Sequence, residues 1–163
     1  MTDVVLALGS NIGDRAGNLR RAMRLLGEQD VAIAQWSSAW ETPPMPEDQP
    51  RFYNAVVRGE TGLSPRGLLE AAKDVERQLG RRPGRRWGPR PIDIDLLFYG
   101  ETELSEPDLA IPHGGIAERP FVLAPLSELE RGPLPVLGER ALDLLSRLDI
   151  GGMQRAGVVL TPA

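Results

Sequence analysis

Ile92 to Tyr99 alternates in a way that suits a strand. Successive side chains of a strand point to opposite faces. Asp93 and Asp95 therefore share one face, while Ile92, Ile94 and Leu96 take the other. Two carboxylates so placed stand about 7 Å apart along the strand. Like charges side by side destabilise a strand unless something neutralises them. Positive charge lies just upstream. Arg77, Arg81, Arg82, Arg85, Arg86 and Arg90 crowd together, the last five in a loop rich in Gly and Pro. Lys73 is the only lysine, so arginine carries nearly all the positive charge. Planar guanidinium forks suit phosphate.

The segments before this strand set the fold class. Val4 to Leu8 is a short apolar run ending in Gly9-Ser10-Asn11, which reads as a strand and a loop. Asp14 caps a predicted helix over Arg15–Gln29, with Leu19, Met23 and Leu26 on one face. A second strand is expected over Val31–Trp40. Thr42 to Pro50 holds four prolines and is neither helix nor central strand. Phe52–Glu60 reads as a third strand. Ser64-Pro65 is a helix start, Leu68, Ala72, Val75 and Leu79 form one face, and Gly80 is the stop. The order β-α-β-β-α-β predicts an α+β, ferredoxin-like fold: an antiparallel sheet with helices packed on both faces. After Gly100 the chain is broken by prolines, with short helical pieces expected near Phe121–Leu129 and Leu142–Leu148. That fold hosts many unrelated functions, so it does not name a chemistry.

Composition narrows the field. A chain of 163 residues is expected to form a single domain, 1–163. It holds no cysteine, which removes disulfides, zinc-thiolate sites and thiol nucleophiles. No apolar run approaches the roughly 20 residues a membrane-spanning helix needs. The first residues lack the basic and apolar regions of a signal peptide. A cytoplasmic protein without membrane contact is expected. A net charge of −4 argues against general binding of nucleic acid. There is no P-loop, protein-kinase signature, dinucleotide fingerprint or nucleophile elbow.

Each candidate residue has a bland reading beside a sharp one. Asp93 and Asp95 could be solvated strand residues. They could equally hold divalent cations, because hard oxygen ligands that leave room for water and phosphate suit Mg²⁺. Two such metals, roughly 3.5–4 Å apart, can clamp both oxygens of a phosphoryl transfer. The arginine loop could be a mobile surface loop, or a lid ordered by polyphosphate, with Arg81 and Arg90 as the clamps. Trp87 could seal that lid or serve as a local packing anchor. His113, the only histidine, could be structural or could reach a phosphate together with Arg119. Phe52 and Asn54 share a strand face. They could form a platform for a flat heterocycle, or Phe52 could simply fill the core.

Taken together, the residues resemble a known family, the 6-hydroxymethyl-7,8-dihydropterin pyrophosphokinases. The resemblance runs from Leu6 to about Glu130. It rests on Leu8-Gly9-Ser10-Asn11, Thr42-Pro43-Pro44, Asp48-Gln49-Pro50 followed by Asn54, and Arg86-Trp87-Gly88-Pro89-Arg90 with Asp93 and Asp95. Pro112-His113 and Arg119-x-Phe121-Val122-Leu123 complete it. The resemblance implies transfer of pyrophosphate from ATP to the hydroxymethyl oxygen of the pterin, leaving AMP, in folate biosynthesis. It implies that Asp93 and Asp95 hold two Mg²⁺ ions with ATP, and that Arg81 and Arg90 act in catalysis. Glu76, Arg81, Trp87, Arg90, Ile111, His113 and Arg119 are implied at the nucleotide. Thr42, Pro43, Met45, Phe52, Asn54, Asp93 and Phe121 are implied at the pterin, with Phe52 and Phe121 as the two rings that sandwich it. It suggests a monomer. The chain departs from the family pattern in several ways, one being a catalytic loop a residue shorter than in some relatives. Glu106-Pro107-Asp108-Leu109 lacks an arginine some members carry, Gly114 stands where tyrosine is often found, and so does Phe52. Two rivals remain: an RNA-binding module using the arginine loop, and a nucleotide sensor without catalysis.

Overall fold

β1 (Thr2–Ser10) is an inner strand, paired antiparallel with β4 (Phe52–Thr61) on one side and β5 (Asp93–Tyr99) on the other. The structure is a computed structural model that describes residues 1–44, 47–81 and 89–162. Two further strands, β2 (Val31–Trp36) and β3 (Trp40–Thr42), follow one another along the far side of β4. Among the described residues the sheet has six strands in the order β5-β1-β4-β3-β8, with β2 also on β4 and β8 being Gln154–Arg155. Helix α1 (Arg15–Gly27) joins β1 to β2, and α2 (Pro65–Gln78) joins β4 to β5. The order β5-β1-β4-β2 with two helical crossovers is compatible with the ferredoxin-like arrangement.

Local chemistry explains these bounds. The Asp14 carboxylate accepts from the Gly17 N–H at 3.0 Å and caps α1. Ser64 does the same for Gly67 at 3.0 Å, and Pro65 opens α2. The strand expected over Val31–Trp40 is instead two strands, because Ser37 interrupts it. Its N–H donates to the Val56 carbonyl at 2.9 Å, and its hydroxyl accepts from the Val56 N–H at 2.9 Å. A side chain thus takes the place of a backbone acceptor, and the ladder breaks.

Alternation along the strands feeds two cores. Val4, Leu6, Leu8, Ala55, Val57, Ile94 and Leu96 meet the apolar faces of α1 and α2, as the period of those helices requires. The opposite face buries Val5, Val56, Leu97 and Phe98 beneath α3 (Pro120–Leu129) and α4 (Ala141–Leu145). Leu97 and Phe98 share that side because Leu97 is a bulge. Leu6 opposes Leu96, whereas Val5 opposes Phe98. Asp93 and Asp95 lie before the bulge, on the α3 side, opposite Ile92, Ile94 and Leu96 as the sequence predicts.

The last third of the chain holds elements with no periodic signal. A hairpin, β6 (Leu104–Glu106) and β7 (Leu109–Ile111), leads into a 3₁₀ turn at Ile116–Glu118 and then α3. β8 adds to the edge of β3, Ala156 N–H donates to the Ala39 carbonyl at 2.8 Å, and Leu160 is buried in the first core. Among the described residues no helix is long and apolar enough to cross a membrane.

Leu6 is fully buried on an inner strand, whereas Leu142 on α4 is 58% exposed. Leu6→Ala is expected to lower unfolding free energy by about 2–5 kcal/mol, and Leu142→Ala by about 0.5 kcal/mol or less. Urea unfolding of both variants checks this; equal losses would mean the core is placed wrongly.

Candidate active site

Register brings the candidate residues together. Gly9 pairs with Asp93 on one side and Asn54 on the other, and Asn54 pairs with Trp40. A single row therefore crosses four strands as Asp93, Gly9, Asn54 and Trp40. Ala7 sits beside Asp95 in the row next to it. Residues opposite each other in such rows share a face. Gly9 has no side chain to fill the middle of its row. A Cβ there would lie 2.7 Å from Asn54 Oδ1 and 3.5 Å from the Phe52 ring. The missing side chain leaves a floor.

Walls rise around that floor. Thr42 and Pro43 end β3, Phe52 and Asn54 open β4, and Phe121 and Val122 come from the first turn of α3. They enclose a cleft of about 410 Å³ together with Arg90, Asp93, Asp95 and Arg119. That volume falls within the roughly 300–1,000 Å³ of small-molecule sites. The Asn54 amide N–H donates to Thr42 Oγ1 at 2.7 Å, which leaves its carbonyl oxygen turned over Gly9. Phe52 and Phe121 thus line one cleft from the sheet and the helix respectively.

Charge is concentrated at the β5 end. Asp93 Oδ1 accepts from Arg81 Nη1 at 2.8 Å, and its Oδ2 lies 3.1 Å from Arg90 Nη1. Asp95 has weaker partners, Arg119 Nη1 at 3.8 Å and His113 Nε2 at 3.9 Å. Burial, reinforced by the charge of Asp93, pushes the Asp95 carboxyl up to about 7. Burial also raises Glu76, whose Oε2 accepts from Ile94 N–H at 2.9 Å and Arg81 Nη1 at 2.6 Å. Glu76 thereby fixes Arg81 and the start of β5. Burial, then the nearby Arg119 charge, lowers His113, so its imidazole is neutral near pH 7. Its Nδ1 accepts from Gly115 N–H at 3.2 Å, which leaves the proton on Nε2 facing Asp95. A Cβ on Gly115 would come 2.6 Å from Arg119 Nε, so glycine there lets the guanidinium approach.

Among the described residues no cluster of three or more His, Asp or Glu side chains could hold a metal ion. The donor set fits Mg²⁺ nonetheless. That ion usually takes one or two carboxylates and completes its shell with water and substrate phosphates. The raised carboxyl of Asp95 marks a surplus of buried negative charge that a cation would relieve.

Most residues singled out from the sequence meet here. Thr42, Pro43, Phe52, Asn54, Arg90, Asp93, Asp95, Arg119 and Phe121 line the one cleft, and Arg81 reaches it through Asp93. His113 lines an adjoining depression of about 340 Å³ with Asp95, Leu69 and the β6–β7 hairpin. Glu76 stands behind Arg81, and the side chain of Ile111 is buried in the first core. Met45 and Trp87 lie outside the described residues, as do Arg82, Arg85 and Arg86.

Sequence reasoning attached no role to Asn11, yet it ties both flanking loops. Its Nδ2 donates to Gln49 Oε1 at 2.9 Å and to the Pro50 carbonyl at 3.0 Å, and its Oδ1 accepts from Arg90 N–H at 2.7 Å. An amide directly after a strand that points at two loops was the available signal. Gly9 was missed because its importance depends on register with β4 and β5, which one strand does not reveal.

The chain is similar to known proteins in both sequence and fold. The model of the family "7,8-dihydro-6-hydroxymethylpterin-pyrophosphokinase (HPPK)" matches residues 5–131. The chain is 51% identical over 128 residues to a mitochondrial folate synthesis bifunctional protein of Arabidopsis thaliana, covering 78% of this chain and 23% of that protein. It therefore spans about a quarter of that relative's length. It is 43% identical over 157 residues to the 2-amino-4-hydroxy-6-hydroxymethyldihydropteridine pyrophosphokinase of Methylorubrum extorquens, covering 95% of this chain and 99% of that protein. A triple-mutant HPPK-DHPS crystal structure from Plasmodium falciparum superposes with a TM-score of 0.71 at 18% identity, covering 90% of this chain and 44% of that one. That likeness speaks to the fold. The chain belongs to the 7,8-dihydro-6-hydroxymethylpterin-pyrophosphokinase (HPPK) family.

Proposed function

We propose that the chain transfers a pyrophosphoryl group from ATP to 6-hydroxymethyl-7,8-dihydropterin in folate biosynthesis, as a single cytoplasmic domain. The hydroxymethyl oxygen attacks the β-phosphorus, the bond from that phosphorus to the α,β-bridging oxygen breaks, and AMP leaves with the bridging oxygen. The hydroxyl proton is released. One observation carries this reading: the carboxylate face of β5 closes an aromatic-walled cleft that Arg81, Arg90 and Arg119 ring with positive charge.

The protein's task in such a reaction is positioning and charge neutralisation. Phe52 and Phe121 hold the flat pterin between them, and Asn54 with the Thr42–Pro43 backbone reads its edge. Asp93 and Asp95 hold Mg²⁺, two ions with the nucleotide. Bound Mg²⁺ supplies charge neutralisation on the β- and γ-phosphates. Arg81 and Arg90 satisfy Asp93 before substrate arrives and turn to phosphate oxygens as it binds. His113 and Arg119 meet the phosphates from the hairpin side. Glu76 holds Arg81 ready from behind.

Incubation with ATP, Mg²⁺ and the reduced pterin is expected to give AMP and pterin diphosphate in equal amounts; ADP as product would reject the reading. Arg90→Ala is expected to lower kcat about 100- to 1,000-fold with the fold intact by circular dichroism.

Asp95→Asn separates function from stability. It is expected to lower turnover about 100-fold or more. It should also stabilise the protein measured without metal or nucleotide. Burial and the charge of Asp93 push the folded-state carboxyl up to about 7, against an ordinary value of 3.8. The folded form thus holds the proton more tightly, and stability falls as pH rises from 3.8 towards 7. The side chain is still 33% exposed, so screening leaves a cost on the order of 1 kcal/mol above pH 7. Asp95→Asn should therefore raise Tm by about 2–4 °C at pH 8 and leave it unchanged near pH 4. A lower Tm at pH 8 would contradict this.

A further inference from the structure

Glu128 lies outside the cleft, yet its carboxylate joins α3 and β3, which line the cleft, to β8. Oε1 accepts from the Ser38 N–H at 2.9 Å, and Oε2 accepts from Trp40 Nε1 at 2.7 Å. Arg155 on β8 brings Nε to 3.6 Å from Oε2, and its guanidinium lies 5.2 Å from the centroid of the Trp40 ring. These contacts link the last turn of α3 to β3 and to the strand that covers β3.

Their placement relative to the cleft follows from helix and strand periods. Phe121 and Glu128 are seven residues apart on α3, close to two full turns, so they project from nearly the same side. Trp40 and Thr42 are two apart on β3 and share a face. Thr42 and Phe121 line the cleft, while Trp40 and Glu128 are bonded to each other. Helix and strand are thus joined at one end and line the cleft at the other.

We propose that Glu128 is a positioning residue whose bonds to Ser38 and Trp40, backed by Arg155, set the gap between the Phe121 wall and the Thr42–Phe52 wall. This rests on the reading of that gap as the pterin slot. Burial pushes the Glu128 carboxyl up, but the Ser38 N–H, the Trp40 indole and the Arg155 charge outweigh it and hold the group below its usual range. Glu128 therefore stays an ionised double acceptor at neutral pH. Glutamine is nearly isosteric but offers one acceptor oxygen and a donor, so it opposes a donor to either Ser38 or Trp40. The lock also gives a role to the C-terminal segment beyond residue 131, where the family match ends.

Glu128→Gln and Trp40→Phe test the proposal singly and together. Each is expected to raise KM for the pterin about five- to tenfold, with kcat and KM for ATP within about twofold of wild type. The double variant should be no worse than Glu128→Gln alone, because the two share one hydrogen bond. A residue that only supports folding would lower the active fraction, and so kcat, while leaving both KM values in place. Amide NMR of Glu128→Gln gives a readout that needs no activity. Shifts should reach Phe52 and Phe121, one on each wall of the cleft. Shifts confined to the neighbourhoods of Ser38, Trp40 and Glu128, or an unchanged pterin KM, would overturn the proposal. Wild-type protein that yields no AMP would instead sink the functional reading, and the NMR result would still decide whether the lock sets the gap.

Discussion

Two acidic side chains stand next to each other on one face of β5, and the site is arranged around relieving their repulsion. Asp93 is held by Arg81 and Arg90, and Asp95 lies near Arg119 and His113. These partners come from just past α2, the loop before β5, and the segment between β7 and α3. Each carboxylate therefore gathers distant chain segments around the mouth of the cleft. The neutralisation is uneven. Asp93 has both oxygens engaged at close range, while among the described residues Asp95 is served only from 3.8 Å and beyond, and it is pushed towards its neutral form. Such an imbalance suits a site completed by a cation and phosphates rather than a finished structural ion pair.

The sheet contributes by omission as much as by its residues. Gly9 lies between Asp93 and Asn54 and leaves the floor bare. Asn11, directly beyond, anchors the loops on both sides of that floor. On the far wall, the Glu128–Trp40 contact ties α3 to the strand that ends in Thr42 and Pro43. The aromatic slot thus has a tie on its α3 side that the charged end does not share, while Asn11 links the loop before Phe52 to the loop that carries Arg90.

Sequence alone revealed what depends on local period and caps. Asp93 and Asp95 could be assigned to one face because strand alternation is a two-residue rule, and Asp14 and Ser64 announced their helices. The pairing of Phe52 with Asn54 on one face was legible for the same reason. What escaped depends on register or on very short elements. β6, β7 and β8 span only two or three residues each and carry no periodicity to detect. Ser37 hid a strand break because its hydroxyl imitates a backbone acceptor. The side chain of Ile111, which the resemblance implies at the nucleotide, sits in the first core, and His113, two residues on, faces Asp95. Glu128 gave no signal, since an acid in the last turn of a helix is ordinarily a solvated residue.

We propose that the β5 carboxylates take up a cation together with the triphosphate. Calorimetric titration with α,β-methylene-ATP, which cannot release AMP, tests it most directly when run with and without Mg²⁺. Binding to the wild-type protein should be at least about tenfold tighter with Mg²⁺, and Asp93→Asn with Asp95→Asn should erase that difference. Equal affinity with and without the metal, or a Mg²⁺ effect that survives loss of both carboxylates, would contradict the account.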